Sequence, residues 1–321
     1  MEIFWHGDCI DLGNKTPKEM KFTARQFHAQ FPDDDACLHK IFTLRFGNLT
    51  ECQECKKAFD YKRVNYNSKV KGAQKKSYQC IHCGNQIYPL AGTIFQQTTT
   101  SLKDWFYILY LFTTTRNGVS AKEIERQLDV CYKTALRMAH QLKKLMGNRT
   151  QNVLSGFVQA DEMIPSMKAK NMHAGQRQKA REVGFTNKEM VFGMIDDKGE
   201  LIVEHVKYND WATIRTILAE RVSPYSVLIT DGAEGYNRLR EFGINFINHV
   251  VVNHQVGEYV KDGKSTNTIE GFWSQLRRML YGTHIKVSPK HLNKYIQECA
   301  TRYMLRKSEG EMFDIILKQV A

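Results

Sequence analysis

Two closely spaced cysteine pairs most strongly limit what this chain can fold into. "CQEC" at 52–55 and "CIHC" at 80–83 are separated by 24 residues that carry eight basic side chains and one acid. Two C-x2-C turns can present four thiolates tetrahedrally, the arrangement of a closed structural zinc site. The intervening segment is too polar to build a core without the metal. We therefore predict a zinc ribbon with Cys52, Cys55, Cys80 and Cys83 as ligands.

Two other interpretations of these cysteines remain open. They could be four ordinary buried cysteines, or one pair could be a redox motif, although neither pair has a thioredoxin-like sequence around it. His82 lies inside the second turn and is predicted to be a surface residue rather than a ligand. The remaining cysteines are scattered, which does not resemble the disulfide framework of a small secreted protein. They are Cys9, Cys37, Cys131 and Cys299.

The charge balance indicates a polyanionic partner. Lys and Arg total 46 against 34 for Asp and Glu, so the formal net charge is +12. Ribosome-binding and membrane-surface proteins share such a charge, which makes it weak evidence alone. We expect no membrane-spanning segment, because no apolar run reaches roughly 18 residues. The N-terminal "MEIFWHGDCIDLGNK" lacks the pattern of a signal peptide, so an intracellular protein is expected.

A helical region follows the cysteine pairs. "SLKDWFYILYLFTTT" predicts an apolar helix capped by Ser101, with Asp104 at its third position. "SAKEIERQLDVCYKTALRMAHQLKKLM" predicts two more helices with a break near Asp129. Lys133 and Arg137 on the second of these are typical of a helix-turn-helix that reads a DNA major groove. A plain three-helix packing unit is the alternative.

Beyond residue 150 the pattern alternates between strands and helices. "GFVQADEM" predicts a strand that ends at Asp161 and Glu162, and "KEMVFGMIDDKGELIVEHV" predicts a β-hairpin. "SVLITDG" predicts a short buried strand that stops at Asp231. With the helical stretch "NDWATIRTILAERV" and a further strand in "FINHVVV", this order predicts an α/β domain with a mixed sheet.

The stretch "STNTIEGFWSQLRRML" at 265–280 predicts an amphipathic helix beside this sheet. Its apolar residues recur at helical spacing and form a stripe that docks on a core. A polar row flanks that stripe, formed by Asn267, Glu270, Ser274 and Arg277. The stripe would therefore hold Glu270 on a rigid support, although a solvated surface acid is the alternative.

Three acids from separate elements are candidates for one site. Asp161 and Asp231 each end a strand, where open α/β sheets commonly place their chemistry, and Glu270 could meet them there. Such carboxylates suit Mg²⁺ or Mn²⁺. Two ions held together would promote an in-line displacement at phosphorus in DNA or RNA. Alternatively, each acid is separately a turn cap or a surface residue.

Five motifs together resemble the zinc-ribbon DDE transposases of bacterial insertion sequences, the group related to the eukaryotic Merlin elements. The motifs are "GTIF" at 92–95, "ADEM" at 160–163, "TDGAEGY" at 230–236, "VNHQVGEYV" at 252–260 and "TNTIEGFWSQLRR" at 266–278. The resemblance extends from about residue 20 to about residue 307. It implies an RNase H-like catalytic domain, a metal-binding acidic triad, and excision or insertion of a mobile DNA element.

The resemblance also implies roles for individual residues. Asp161 and Asp231 match the first two acids, and the third matches Glu270 or Asn267. We expect Glu270 to be the third ligand, with Asn267 either beside the ligands without binding the metal itself or as the alternative ligand. Arg277 matches a basic residue two helical turns later, which would contact a phosphate or steady Glu270. Two histidines near the last strand are candidates for positioning water or DNA, or are buried structural residues: His249 and His254.

The expected protein is a DNA transposase that binds terminal inverted repeats and target DNA, uses Mg²⁺ or Mn²⁺ with structural Zn²⁺, and acts as a homodimer in the synaptic complex. Its expected location is cytoplasmic and nucleoid-associated. A catalytically inactive DNA-binding regulator and an RNase H-like structure-specific nuclease are the alternatives. The predicted parts are a helical segment at 1–49, a zinc ribbon at 50–97, a helix-turn-helix-like module at 98–150, an RNase H-like domain at 151–307 and a tail at 308–321.

Within that domain, residues 165–190 form a predicted basic loop that orders on DNA. Its phosphate-binding residues would be Lys168, Lys170, Arg177, Lys179 and Arg181. Neutralising all five should flatten the slope of log affinity against log salt concentration by several units, because each phosphate contact releases counterions. A slope measured as unchanged would refute this role.

Overall fold

The computed structural model describes a chain that divides into two compact units. The described residues are 22–64, 76–147, 153–165, 189–207, 210–244, 246–252, 260–261, 263–285, 287–308 and 310–320. The first unit combines Met1–Thr114 with Leu305–Ala321, and the second spans Thr115–Met304. None of the helices within these ranges has both the length and the apolar character needed to cross a membrane.

Aromatic packing holds the helices of the first unit together. These helices are α1 (Ala24–Gln30), α2 (Asp34–Phe46), α3 (Leu102–Thr114) and a C-terminal helix (Met312–Lys318). The ring of Phe313 lies 5.6 Å from that of Phe31 and 6.0 Å from that of Phe106. The segment predicted as a tail at 308–321 thus contributes a buried helix to this core. The Asp104 N–H donates to Ser101 Oγ at 3.2 Å, which confirms the predicted cap of α3.

A small antiparallel sheet lies next to the cysteine pairs, with Cys80 at the end of one strand. It consists of β1 (Tyr61–Arg63), β2 (Tyr78–Cys80) and β3 (Gln86–Ile87), in that order. The ring of Tyr78 stacks on Phe42 of α2, with centroids 3.9 Å apart and planes 12° from parallel. This stacking gives the small sheet an apolar support on a helix, which a segment so rich in lysine could not supply from its own residues.

A five-stranded mixed sheet forms the centre of the second unit. Its strands are β4 (Phe157–Met163), β5 (Glu189–Ile195), β6 (Leu201–Lys207), β7 (Val227–Thr230) and β8 (Asn248–Val251). The spatial order is β6-β5-β4-β7-β8. β5 runs antiparallel to both β4 and β6, whereas β7 is parallel to β4 and β8 is parallel to β7. The predicted α/β class, mixed sheet and β-hairpin are confirmed.

The helices described in the second unit are α4 (Ala121–Leu128), α5 (Tyr132–Met146), α6 (Trp211–Arg221), α7 (Glu234–Asn237), α8 (Asn267–Arg278) and α9 (Pro289–Met304). Of these, α6, α7, α8 and α9 cover the two faces of the sheet. On one face, apolar residues of α8 and α9 pack with Val191 and Val203. On the other, α6 and α7 pack with Phe192 and Ile202. Alternate residues of each strand therefore serve opposite cores, as the period of a β-strand requires.

Two boundaries differ from the sequence prediction. β4 continues past Asp161 and Glu162 to Met163, because Met163 is buried and pairs with Val191 of β5. The predicted helix at 265–280 is α-helical to Arg278 and then continues as a single π-helical turn at Met279–Thr283.

The predicted break near Asp129 is confirmed. Asp129 adopts the left-handed conformation, with φ 51°, and ends α4 three residues before α5 begins. α5 packs on α9, where Thr301 Oγ1 donates to the Met146 carbonyl at 2.8 Å. The helix α3 belongs to the first unit and the pair α4–α5 to the second, so the predicted module at 98–150 spans the division after Thr114.

A buried ionic cluster joins α5 to α9. Lys143 of α5 donates to Glu298 Oε2, and Arg302 Nη2 donates to Glu298 Oε1 at 2.9 Å. Arg302 Nη1 also donates to the carbonyl of Thr115 at 2.6 Å. Burial disfavours the charge on Glu298, but Lys143 and Arg302 outweigh it and lower the pKa of this carboxyl to about 2. The carboxylate therefore stays ionised inside the core.

Replacing Glu298→Gln should lower the free energy of unfolding by about 3–5 kcal/mol, because it leaves Lys143 and Arg302 buried without their counter-charge. Urea denaturation of the full chain at pH 7 measures this. The matched control is Glu241→Gln, which breaks an exposed ion pair with Arg238 (2.8 Å) and should cost less than about 1 kcal/mol. Equal losses in the two variants would contradict the prediction.

Candidate active site and metal centre

The four paired cysteines converge in the first unit. Their sulfur atoms all lie within 4.8 Å of one another. The Sγ atoms of Cys52 and Cys83 are 3.8 Å apart, and those of Cys55 and Cys80 are 3.9 Å apart. Sulfur atoms bound tetrahedrally at roughly 2.3 Å from a zinc ion are about 3.8 Å from each other. The spacing and the donor set therefore fit zinc. His82 is exposed and does not belong to the cluster.

Both cysteine turns use the same backbone conformation. The Lys56 N–H donates to the Cys52 carbonyl at 3.0 Å, and the Gly84 N–H donates to the Cys80 carbonyl at 3.0 Å. Lys56 and Gly84 also share the left-handed conformation, with φ 57° and 77°. A glycine adopts this conformation without steric cost, whereas a lysine does so at a cost that the surrounding turn must offset. The repeated turn explains why two short motifs present four thiols to one point.

A hydrogen bond from Tyr61 favours the thiolate form of Cys52. The hydroxyl of Tyr61 lies 3.1 Å from Cys52 Sγ, and this hydrogen bond lowers the pKa of Cys52 to about 6. A thiol must lose its proton to ligate a metal, so the contact favours ligation near neutral pH.

In the second unit, strand pairing places two predicted acids at one edge of the sheet. Asp161 lies near the end of β4, and Asp231 directly follows β7. The two strands are parallel neighbours, and their register pairs Gln159 with Ile229. Asp161 and Asp231 each lie two residues further along, so they share the carboxyl-terminal edge of the sheet.

Hydrogen bonds attach the helix that carries Glu270 to the same strand. The Oε1 atom of Gln159 on β4 accepts from the backbone N–H groups of Thr268 and Ile269, each at 3.1 Å. Glu270 therefore lies in the first turn of a helix whose beginning is fixed to β4. Thr266 Oγ1 donates to Glu270 Oε1 at 3.1 Å and orients this carboxylate.

Asp161 and Asp231 are partly buried, whereas Glu270 is exposed. Burial raises the pKa of Asp161 to about 6, and the hydrogen bond that Trp273 Nε1 donates to Asp161 Oδ2 at 2.9 Å opposes this shift. The negative charges of Asp231 and Glu270 raise the pKa of Asp161 further. The structure thus brings the predicted acids close enough for their charges to interact. Their oxygen donors and mutual repulsion suit a hard divalent cation.

The three carboxylates are spaced more widely than the thiols. In the part of the chain that the structure describes, only the cysteine cluster brings three or more His, Cys, Asp or Glu donor atoms within 4.8 Å of one another. The Asp231 carboxylate is held by the turn that follows it, where the Ala233 N–H donates to Asp231 Oδ1 at 3.0 Å.

Glu162 is a residue of the site to which sequence reasoning gave no role. It follows Asp161 on β4 and faces the opposite side of the sheet, where the hydroxyl of Tyr236 donates to Glu162 Oε1. Burial raises the pKa of Glu162 to about 8, against the effect of the Tyr236 hydrogen bond. The available signal was the adjacent pair in "ADEM", because neighbours in a strand point to opposite faces.

The remaining predicted residues are divided between described and undescribed parts of the chain. Asn267 begins α8 and is exposed, as is Arg277 two turns after Glu270. His249 Nε2 lies 2.9 Å from Thr230 Oγ1, next to Asp231. Lys133 and Arg137 are exposed on α5. Outside the described residues lie His254, Lys168, Lys170, Arg177, Lys179 and Arg181.

The chain is similar to known proteins of transposable elements. Residues 153–303, which contain all three acids, match the family of ISXO2-like transposase domains. An uncharacterised protein in transposable element ISH50 of Halobacterium salinarum is 28% identical over 250 residues, covering 75% of this chain and 83% of that protein. An uncharacterised transposase-like protein of Haemophilus influenzae is 28% identical over 109 residues, covering 34% of this chain and 83% of that protein.

The predicted relation to Merlin elements stays a prediction. The matched domain and both relatives agree with the resemblance that the sequence motifs indicated. The chain is thus similar to the transposases of insertion sequences, and its residues 153–303 match the family of ISXO2-like transposase domains.

Proposed function

We propose that this chain is a divalent-metal-dependent DDE transposase that cleaves DNA at the ends of an insertion sequence and joins those ends to target DNA. The proposal is supported by the shared sheet edge of Asp161 and Asp231, and by the attachment of the helix carrying Glu270 to β4, within a region that matches a transposase domain. The strand order, with three antiparallel strands followed by two that run parallel to the first of them, supports an RNase H-like fold.

The three carboxylates would hold Mg²⁺ or Mn²⁺, and each is oriented by a different donor of the chain. Trp273 donates to Asp161, the Ala233 backbone donates to Asp231, and Thr266 donates to Glu270. When bound, such ions activate the attacking oxygen and stabilise the leaving oxygen of an in-line displacement at phosphorus. Asn267, one helical turn before Glu270, is the alternative third ligand.

The reaction needs no nucleophilic side chain. In the first step, the oxygen of water bonds to phosphorus and the bond to the 3′ oxygen breaks, which frees a 3′ hydroxyl. In the second step, that hydroxyl attacks a phosphodiester of target DNA, and the 3′ oxygen of the target leaves. Arg277, exposed on the same helix as Glu270, would bind a phosphate close to the reacting group.

The α4–α5 pair would bind the terminal inverted repeats. A three-residue turn separates the two helices, and Lys133 and Arg137 lie exposed on the second, as in a helix-turn-helix. The ribbon and the basic loop at 165–190 would add phosphate contacts, which position the protein without reading sequence. Synapsis of two ends requires two catalytic sites, so we include a homodimer in the proposal. Because the substrate would be DNA, the proposed location of the protein is the cytoplasm, in association with the nucleoid.

The ribbon would bind one structural Zn²⁺ through Cys52, Cys55, Cys80 and Cys83. Support comes from the sulfur spacing, the repeated backbone turns and the shifted pKa of Cys52. All four positions are filled by protein ligands, which is typical of a structural rather than a catalytic zinc site.

Asp231→Asn should lower the rate of magnesium-dependent cleavage of a duplex carrying the terminal repeat by more than about 100-fold, because the amide removes a ligand charge. DNA binding should persist, because this residue lies outside the proposed DNA-binding helices. Glu220→Gln, which changes an exposed acid on α6, is the matched control and should cleave like the wild type.

Binding without cleavage by the wild type, in both Mg²⁺ and Mn²⁺, would favour the inactive regulator instead. Cleavage of branched DNA without a terminal repeat would favour the structure-specific nuclease. Full activity in Asp231→Asn would refute the acidic site.

Cys80→Ser should abolish zinc binding, because three thiolates leave the tetrahedral site incomplete. Metal analysis of the purified chain should find one zinc per wild-type chain and close to none in the variant. Cys131→Ser, which alters an exposed cysteine at the start of α5, should retain one zinc. Equal zinc content in both variants would contradict the assignment.

A further inference from the structure

The neighbouring acids Asp161 and Glu162 each bind one buried aromatic side chain, on opposite faces of β4. Asp161 accepts from the Trp273 indole on the face covered by α8 and α9. Glu162 accepts from the Tyr236 hydroxyl on the face covered by α6 and α7. The two aromatics belong to the two segments that carry the other acids: Trp273 lies three residues after Glu270, and Tyr236 lies five residues after Asp231.

A slot in the sheet seats the indole of Trp273. Gly193 of β5 pairs directly with Asp161 of β4. A Cβ atom at Gly193 would lie 2.6 Å from Trp273 Cη2 and 2.8 Å from Cζ2, closer than packed carbon atoms approach. The missing side chain therefore creates the space that lets the indole N–H reach Asp161. Trp273 itself is 2% exposed, so the ring has little freedom to move.

The ring of Trp211 lies close to Gly235 and packs against Tyr236. This packing is edge-on, with ring centroids 5.2 Å apart. A Cβ atom at Gly235 would lie 2.1 Å from Trp211 Cδ2, so the glycine beside Tyr236 makes this packing possible. Tyr236 is 1% exposed. Near each of the two hydrogen bonds, a glycine thus makes room for a tryptophan ring.

We propose that Trp273, Tyr236 and Glu162 are positioning residues that tie the segments carrying Glu270 and Asp231 to the two faces of β4, and thereby set the geometry of the acidic site. The inference rests on the proposed metal-dependent function. In this proposal, none of the three residues contacts the DNA or the metal.

Such ties are needed because the three acids repel one another. Their charges come from a strand, a turn and a helix, and repulsion would move those elements apart. A metal-binding site requires its ligands within about 0.5 Å of the working geometry, which supporting hydrogen bonds provide. Loss of a supporting partner typically weakens metal affinity or activity by 10–100-fold.

The test compares Trp273→Phe and Tyr236→Phe with matched controls that lose a similar hydrogen bond elsewhere. Trp105→Phe removes an indole that donates to Thr98 Oγ1 at 2.9 Å in the first unit. Tyr295→Phe removes a hydroxyl that lies 3.4 Å from His140 Nε2 in the second unit. For each zinc-loaded full chain, calorimetric titration measures Mn²⁺ affinity, with Asp231→Asn defining binding outside the site. Cleavage assays give kcat and KM, and thermal melting gives stability.

We expect Trp273→Phe and Tyr236→Phe to weaken Mn²⁺ binding about 10- to 100-fold, and to lower kcat while KM for DNA changes less than about twofold. The two control variants should have melting temperatures similar to those of the two test variants. Unlike the test variants, they should keep the wild-type affinity for Mn²⁺. Gly193→Ala should resemble Trp273→Phe, because it displaces the indole. In the Trp273→Phe background it should have a smaller effect, because the smaller ring leaves room for the added methyl group.

The proposal would be overturned if Trp273→Phe and Tyr236→Phe bound Mn²⁺ with the same affinity as the controls. A wild-type chain that binds Mn²⁺ but cuts no DNA would refute the proposed function instead, and the Mn²⁺ titrations would still decide this inference. If Tyr236→Phe fails to fold, Glu162→Met replaces it, because methionine keeps the length of the side chain and removes the oxygen that accepts from Tyr236.

Discussion

The parallel pairing of β4 with β7 is the interaction on which the acidic site depends. Asp161 and Asp231 are 70 residues apart in sequence, and this pairing alone brings them to the same edge. Both faces of the sheet are buried, by α8 and α9 on one side and by α6 and α7 on the other. A register shift by one residue would exchange the two apolar faces, so core packing fixes the register and with it the positions of the acids.

The third acid is placed by a different interaction, the burial of an apolar helix stripe. Ile269, Phe272, Trp273 and Leu276 are at most 2% exposed, whereas Glu270 on the same helix is exposed. Burying such side chains contributes roughly 1.5–3 kcal/mol each, which can offset the repulsion among the acids at the sheet edge. The same helix therefore supplies both the stabilising packing and a charge that this packing must hold in place.

Local patterns in the sequence were sufficient to predict the helices, strands and turns. They were not sufficient to predict which residues from distant parts of the chain would contact each other. The cysteine spacing, the Ser101 cap, the hairpin turn and the stripe of α8 each depend on residues close in sequence, and the structure confirms them. The slot at Gly193 depends on Trp273, 80 residues away, and Lys143 meets Glu298 across 155 residues. Periodicity carries no information about such pairs. The adjacent acids in "ADEM" indicate that Glu162 faces away from Asp161, but its partner Tyr236 lies 74 residues away on another element.

The buried ionic cluster connects the two proposed activities within one compact unit. Lys143 lies on α5, the helix whose exposed face carries Lys133 and Arg137, and its partners Glu298 and Arg302 lie on α9. α9 in turn packs on the sheet and on α8, which carries Glu270. A buried ion pair contributes little net stability compared with apolar packing, but it tolerates few alternative arrangements. We therefore interpret the cluster as a specific connection that fixes the helix proposed to read DNA at a set distance from the carboxylates proposed to act on that DNA.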